Sequence, residues 1–415
     1  MSWKPYAPNI KVVPVFSSED DKNYIQLNDW RGFGMWEKEF PFPEGNGCSI
    51  KVDSTASVSL GNKVGVVVCF KQSDGNYFCE DYLEPIENSD GTLSFYGEYE
   101  REEDVVSIVV KTYFKWNVGK VGFFNTDIQS WEPTKDRIAR IVTTCITYTE
   151  GEKTKQDRYE RINKLLEKIE KEVEKPDLIL FTELTPVMGL YLPMEIQQET
   201  IPGETTNFMA KWAKRLNCYI GVGLRELCSE GHLYNSAAMI GRDGSIVGVY
   251  RKVNLTWGES STGIIPGSTH PVFDLDFGKV GFAICWDNWF GENARMLRLN
   301  GAELMLVPIA GDGIPEHRDC VWGGRASEQG MAAAFAPFCP SYDGLLSARI
   351  FDNQGALIAH TSENNSYAYA DLNFSKRIRT KYLSVKSKGE GRSLYIRERR
   401  DDLYPMPEVE KEVRK

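Results

Sequence analysis

Residues 139–181 read ARIVTTCIT (139–147), then KTKQDRYERINKLLEKIEKEVEK (153–175), then DLILF (177–181), and their order decides the fold class. The first run is continuous and β-prone, without the apolar–polar alternation of a half-solvated strand. In the second, Tyr159, Ile162, Leu165, Leu166, Ile169 and Val173 recur at helical spacing and mark one apolar face. The third is again flat and apolar. Strand, helix and buried strand in direct succession predict an α/β layer structure.

Toward the C-terminus the same grammar continues. It predicts strands at Tyr219–Leu224, Ser236–Ile240, Ile246–Tyr250, Val280–Ile284 and Leu304–Pro308, and helices over Phe208–Leu216, Glu292–Asn300 and Trp322–Ala334. After about Asn373 the chain turns polar and basic. It reads as an arm packed across the domain or a partner subunit, ending in a solvated charged tail. Toward the N-terminus the grammar changes. Up to residue 133, short β-prone runs (Ser49–Val52, Lys63–Lys71, Thr92–Glu98, Val105–Phe114, Lys120–Asn125) alternate with the turn signals SLGN, SDGN, NSDG and NVGK. That pattern predicts an all-β sandwich. The segment GKVGFFNTDIQSW (119–131) resembles the last strand of jelly-roll modules that accompany carbohydrate-active enzymes, which would make a carbohydrate the partner of this module. Trp30, Trp36 and Tyr77 would be its sugar platform, although sandwich aromatics more often pack the core. The expected organisation is a β-sandwich accessory domain over 1–133, a catalytic domain over 134–373 and a C-terminal arm and tail over 374–415.

Composition narrows the partners. The chain has 415 residues, 41% of them apolar and 26% charged, as ordinary soluble domains do. A formal charge of −10 disfavours phosphate backbones and anionic lipid, so neither nucleic acid nor a membrane is an expected partner. No apolar run reaches the roughly 18 residues of a membrane span, and the start MSWKPYAPNIKVV lacks the parts of a secretion signal. A cytoplasmic location is the expectation. Nine scattered cysteines without a CxxC pair read as reduced thiols, one of which could be a nucleophile. His232, His270, His317 and His360 show no ligand spacing, so no metal and no cofactor is expected.

Three predicted strands end on residues that carry chemistry. Leu178–Phe181 runs into Thr182 and Glu183, Ile246–Tyr250 into Arg251 and Lys252, and Val280–Ile284 into Cys285, Trp286 and Asp287. Open α/β sheets assemble their sites at such carboxyl ends. A free thiol has a pKa of about 8.5, so a nucleophilic cysteine at neutral pH needs a proton acceptor or a nearby cation. Glu183 would supply the first and Lys252 the second.

The segments FTELT, YRKVNLTWGE and GFAICWDNWFGENARMLRLNGAELMLVP resemble the three signature segments of the nitrilase superfamily, the carbon–nitrogen hydrolases; RASEQ (325–329) and RERRDDLY (397–404) add to the likeness. It covers roughly Asp136 to Asn373 and leaves the N-terminal sandwich outside. The resemblance implies a four-layer αββα sandwich and a Glu183–Lys252–Cys285 site that cleaves amide or nitrile C–N bonds through a thioester or thioimidate. It also implies subunits that pair into a homodimer or higher homo-oligomer by stacking their sheets. Many family members carry a second carboxylate shortly after the lysine motif, and Glu259 stands seven residues beyond Lys252. The pocket would be lined by Trp257, Trp286, Trp289 and the loop GDGIPEHRD (311–319), with Trp286 also offering an oxyanion N–H. CWD followed by NWF looks more like the amidase and carbamoyl-hydrolase branches than the nitrile-cleaving one, so a small-molecule amide is the expected substrate. A nitrilase and an N-acyltransferase use nearly the same triad and stay open as alternatives. A catalytically dead glycan-binding scaffold is weaker because all three residue types are present. A metal-dependent phosphohydrolase of αββα architecture would bring a late SDH-type segment that this sequence lacks.

Overall fold

The structure is a computed structural model that describes residues 2–147, 149–311, 315–339, 347–361, 363–381 and 388–405. The chain divides into two compact units, Met1–Lys135 with Arg377–Pro405, and Asp136–Lys376. Among the described residues, no helix is long and apolar enough to cross a membrane.

The first unit is all-β. A seven-stranded sheet orders Lys4–Tyr6, Phe33–Pro41, Val105–Lys115, Val64–Gln72, Tyr77–Tyr82, Lys388–Glu390 and Arg379–Lys381. A six-stranded sheet orders Val15–Glu19, Lys22–Leu27, Gly119–Ser130, Gly47–Ser57, Thr92–Glu100 and Glu84–Glu87. Their inward residues meet in one core, with Val64, Val66, Val68 and Phe70 from the first packed with Ile25, Ile50, Val52 and Phe123 from the second. Trp36 belongs to this core and cannot be part of a sugar platform; Trp30 and Tyr77 are exposed.

The C-terminal arm is not a free strap. Lys388–Glu390 lies parallel beside Tyr77–Tyr82, and the helix Gly391–Arg397 follows. Asp81, buried in the sheet, accepts from Arg379 and, at 3.0 Å, from the Glu390 N–H. Asn62 donates to the carbonyls of Ile396 and Arg399 at 2.7 and 3.0 Å. The arm's basic residues thus serve as counter-charges to buried acids, a use that looks like solvated charge in a bare sequence. Residues 406–415 of the expected tail lie outside the described residues.

In the second unit, strands follow one another across the sheet as Ile246–Arg251, Leu233–Ile240, Tyr219–Leu227, Leu178–Leu180, Ile138–Thr147, Ala332–Cys339, Leu304–Ile309, Gly278–Phe282 and Val272–Leu275. Among the described residues the two halves are paired strand to strand at Ile146↔Phe338 and Thr147↔Cys339. Elsewhere they face each other: Ile141, Leu180, Ala237 and Met239 of one half share a core with Phe282, Leu304, Leu306 and Ala334 of the other. The helices Lys155–Glu172 and Glu204–Leu216 cover the outside of the first half through Ile162, Leu166, Met209 and Trp212. Leu297 of Gly291–Leu299 and Trp322 and Ala326 of Pro315–Gln329 cover the second. The layers run helix, sheet, sheet, helix, the expected αββα arrangement.

Most predicted elements lie within observed ones. Lys155–Glu172 starts where Thr154 accepts the Asp157 N–H at 3.1 Å and Asp157 accepts back from the Thr154 N–H at 2.8 Å, and all six predicted face residues are buried. The predicted helix Trp322–Ala334 needs correction: the helix ends at Gln329 and Ala332–Cys339 is a strand parallel to Leu304–Ile309. Gly330, with φ of 58°, breaks the helix. The alanines that follow are buried on both faces, where helix propensity yields to close packing between layers.

Candidate active site

Glu183, Lys252 and Cys285 stand just past the strands Leu178–Leu180, Ile246–Arg251 and Gly278–Phe282, the first two on one half of the sheet and the third on the other. The chain turns sharply at two of these ends. Leu184 has φ of 46° and Cys285 has φ of 47°, left-handed conformations that cost a non-glycine residue about 1–3 kcal/mol and persist only when the surroundings enforce them.

The polar groups form one buried network. Glu183 Oε1 accepts from Lys252 Nζ at 2.9 Å and from Asn235 Nδ2 at 2.6 Å, while its Oε2 accepts from the Ala310 N–H at 2.7 Å. Lys252 Nζ also donates to both oxygens of Glu259 at 3.0 Å, and Asn235 Nδ2 reaches Glu259 Oε1 at 2.6 Å. Glu183 and Lys252 are 3% and 1% exposed, so no water screens this pairing. Glu259 is held by its own helix start: its Oε2 accepts from the Thr256 N–H at 2.8 Å and hydroxyl at 3.0 Å. Glu259 therefore joins the three residues as a holder of the lysine.

Electrostatics separates the roles. Burial works against the charge of Lys252, but Glu183, then Cys285 and Glu259, outweigh it and keep the ammonium pKa above its ordinary value. Burial raises the Glu259 carboxyl while Lys252 and its hydrogen bonds lower it, and the net shift is downward. The Cys285 thiol, half-buried and bonded to the Gly311 carbonyl at 3.7 Å, is pushed up by burial, up again by Glu183 and down by Lys252, ending well above its ordinary value. Burial is the largest of these effects, and the Lys252 ammonium only partly offsets it.

Several site residues escape a reading of sequence. Asn235 bridges the two carboxylates, and the signal was a lone amide in the apolar strand LYNSAAMI. Asp287 is buried and fixes the turn at Cys285: its Oδ2 accepts from the Ile284 N–H at 3.0 Å and the Tyr250 hydroxyl at 2.6 Å, its Oδ1 from the Asn254 N–H at 2.7 Å. Tyr250 and Asn254 flank Lys252, so one carboxylate registers the lysine's segment against the cysteine's turn. Arg325 and Glu328 form an ion pair at 3.1 Å, and Arg325 also donates to the carbonyls of Asn288 and Trp289 at 2.9 and 3.1 Å. Trp286 and Trp289 follow Cys285 in the short helix Cys285–Trp289, their rings 6.2 Å apart, whereas Trp257 is 87% exposed. Residues 312–314 of the expected pocket loop lie outside the described residues.

The carbon–nitrogen hydrolase family model matches residues 142–382, more than half of the chain, and the chain belongs to that family. A citrullinase of Francisella tularensis is 49% identical over 81 residues, 19% of this chain and 28% of that one. An N-carbamoylputrescine amidase of Arabidopsis thaliana is 42% identical over 106 residues, 25% of this chain and 35% of that one. The alignments thus span about a third or less of these two relatives. An amidase of Nesterenkonia sp. shares the fold with a TM-score of 0.52 at 20% identity, over 64% of this chain and 95% of the other.

Proposed function

We propose that the protein hydrolyses a non-peptide C–N bond, that of a small amide or N-carbamoyl compound, through an acyl group carried on Cys285. The observation that carries this reading is the buried Glu183–Lys252–Glu259 network set beside a thiol at a strained strand-to-helix turn. The names of the two relatives, a citrullinase and an N-carbamoylputrescine amidase, favour an amide or ureido group over a nitrile.

In the first half-reaction Sγ of Cys285 bonds to the substrate carbon as its proton passes to Glu183. Lys252 Nζ and the Trp286 N–H face the oxyanion, an effect for which losing one donor typically costs about 10²–10³ in rate. Glu183 then returns the proton to the departing nitrogen, the C–N bond breaks and an amine or ammonia leaves. Water adds to the thioester with Glu183 again as base, and Cys285 is released as a thiol. Glu259 and Asn235 hold the lysine and the glutamate in place. The test is ammonia or amine release from a panel of aliphatic amides, N-carbamoyl compounds and nitriles. Release from amides or ureido compounds, lost in Cys285→Ala, supports the reading; nitriles as the sole substrates overturn it.

A further inference from the structure

The strand that flanks the site carries a cation, Arg225, that no carboxylate among the described residues meets. In the sheet Arg225 is paired directly with Asn235, so the two side chains leave the same face. Lys252 continues that row, because its N–H donates to the Asn235 carbonyl at 2.8 Å and its Nζ shares Glu183 Oε1 with the Asn235 amide. The alternate residues form the opposite row: Glu226 accepts from Ser236 at 2.6 Å and from Arg251 at 2.6 and 2.9 Å. Arg251 is therefore neutralised on the far face, while Arg225 stands on the catalytic face.

Arg225 has no such neutraliser among the described residues. Among the described residues its one hydrogen bond runs from Nη1 to the Met194 sulfur at 3.3 Å, a weak acceptor, and its buried Nε has no partner. The residue is half-buried. Burial disfavours its charge, and Glu259 and Glu183 support it from a distance without pairing. A guanidinium stays charged in a protein and presents a planar fork that fits a carboxylate on two parallel bonds. Leaving it part-buried without an anion is costly.

We propose that Arg225 receives the carboxylate of the substrate and makes this enzyme one for amides with an anionic far end. The inference rests on the amide-hydrolase reading above. Two strand spacings, roughly 10 Å, separate the backbones of Arg225 and Lys252, and the guanidinium reaches back across part of that gap. The matching ligand is short, such as the monoamide of a four- or five-carbon dicarboxylic acid.

The experiment measures binding of glutaric monoamide and pentanamide, equal in length and differing only in the terminal carboxylate, to full-length Cys285→Ala protein by calorimetry. The monoamide binds more tightly, and adding Arg225→Met cuts its preference over pentanamide at least tenfold. Arg225→Lys, which keeps the charge but loses the fork, recovers part of that preference and guards against a misfolded variant. In the wild-type background the same change raises KM for the monoamide far more than it lowers kcat. An unchanged preference in Arg225→Met, or binding of neither probe, overturns the proposal, as does an equal loss for both probes, which would make Arg225 a counter-charge to the glutamates. Intact binding preference with no hydrolysis of either amide by the wild type would instead fault the hydrolase reading alone.

Discussion

Cys285 sits beside the Glu183 carboxylate and the Lys252 ammonium, and burial together with these two neighbours sets its behaviour. Burial first, and then the nearby Glu183, push the thiol above its ordinary value, so in the proposed mechanism Glu183 takes the proton at the moment of attack and not before it. Glu183→Gln should then cut amide turnover by about 10²–10⁴-fold, the usual contribution of a general base. Labelling of Cys285 by iodoacetamide near pH 8 should not fall with it, because the substitution removes a charge that opposes the thiolate. Parallel loss of both, followed by labelling kinetics and ammonia release, would show a preformed thiolate that depends on Glu183. Asn235 offers a second test. Each of its bonds to a carboxylate is charge-assisted, worth about 1.5–3 kcal/mol, so Asn235→Leu should lower thermal stability and kcat together. Glu259 gives a pH signature. Its folded-state carboxyl lies below the ordinary value, so the stability it contributes is fully present above that value and is lost as pH falls through the folded one. The Tm gap between the wild type and Glu259→Gln should be constant near neutrality and close on acidification below about pH 4.5, the ordinary glutamate value. Glu183, Lys252 and Cys285 were legible because each follows an apolar run whose end marks a sheet edge. Arg225 and Asp287 were not, since their meaning lies in strand pairing and in a turn that spacing does not reveal.

At the scale of elements, the turn at Cys285 is held from two directions. Asp287 ties it to the segment around Lys252, and Arg325, from the helix Pro315–Gln329, holds the carbonyls behind it. Asp287→Asn keeps the volume but sets an amide where four donors converge, so kcat should fall by an order of magnitude or more with KM nearly unchanged and Tm lowered. Steady-state kinetics beside a melting curve checks it, and a pure KM effect would speak for a substrate contact instead. The elements themselves were legible in proportion to their periodicity. Lys155–Glu172 was legible from its six apolar face residues at helical spacing. Ala332–Cys339 was misread because alanine favours helices in isolation while the fit between two sheets favours small side chains. Ala348–Phe351, Leu357–Thr361 and Ser366–Asn373 went unread, being short and, apart from the first, largely solvent-exposed on their alternate residues.

For the whole molecule, the chain leaves the sandwich near Lys135 and returns to it at Arg377, a closure that only the fold reveals. The basic C-terminal stretch gave no sign of it, because Arg379 and Glu390 read as surface charge until Asp81 is seen between them. A protein cut to residues 136–415 would keep an arm without its sheet, and one cut to 136–376 would not. The shorter form should be the more soluble, with the sharper melting transition; the reverse order would show that the arm stabilises the hydrolase unit. The chemistry proposed for that unit is tested most directly by acid-quenching the full-length enzyme during turnover of an amide and mapping its tryptic peptides by mass. The acyl group should appear on the peptide spanning residues 280–295, at Cys285. An acyl mass on Glu183, Lys252 or another cysteine, with that peptide unmodified, would contradict the proposed mechanism.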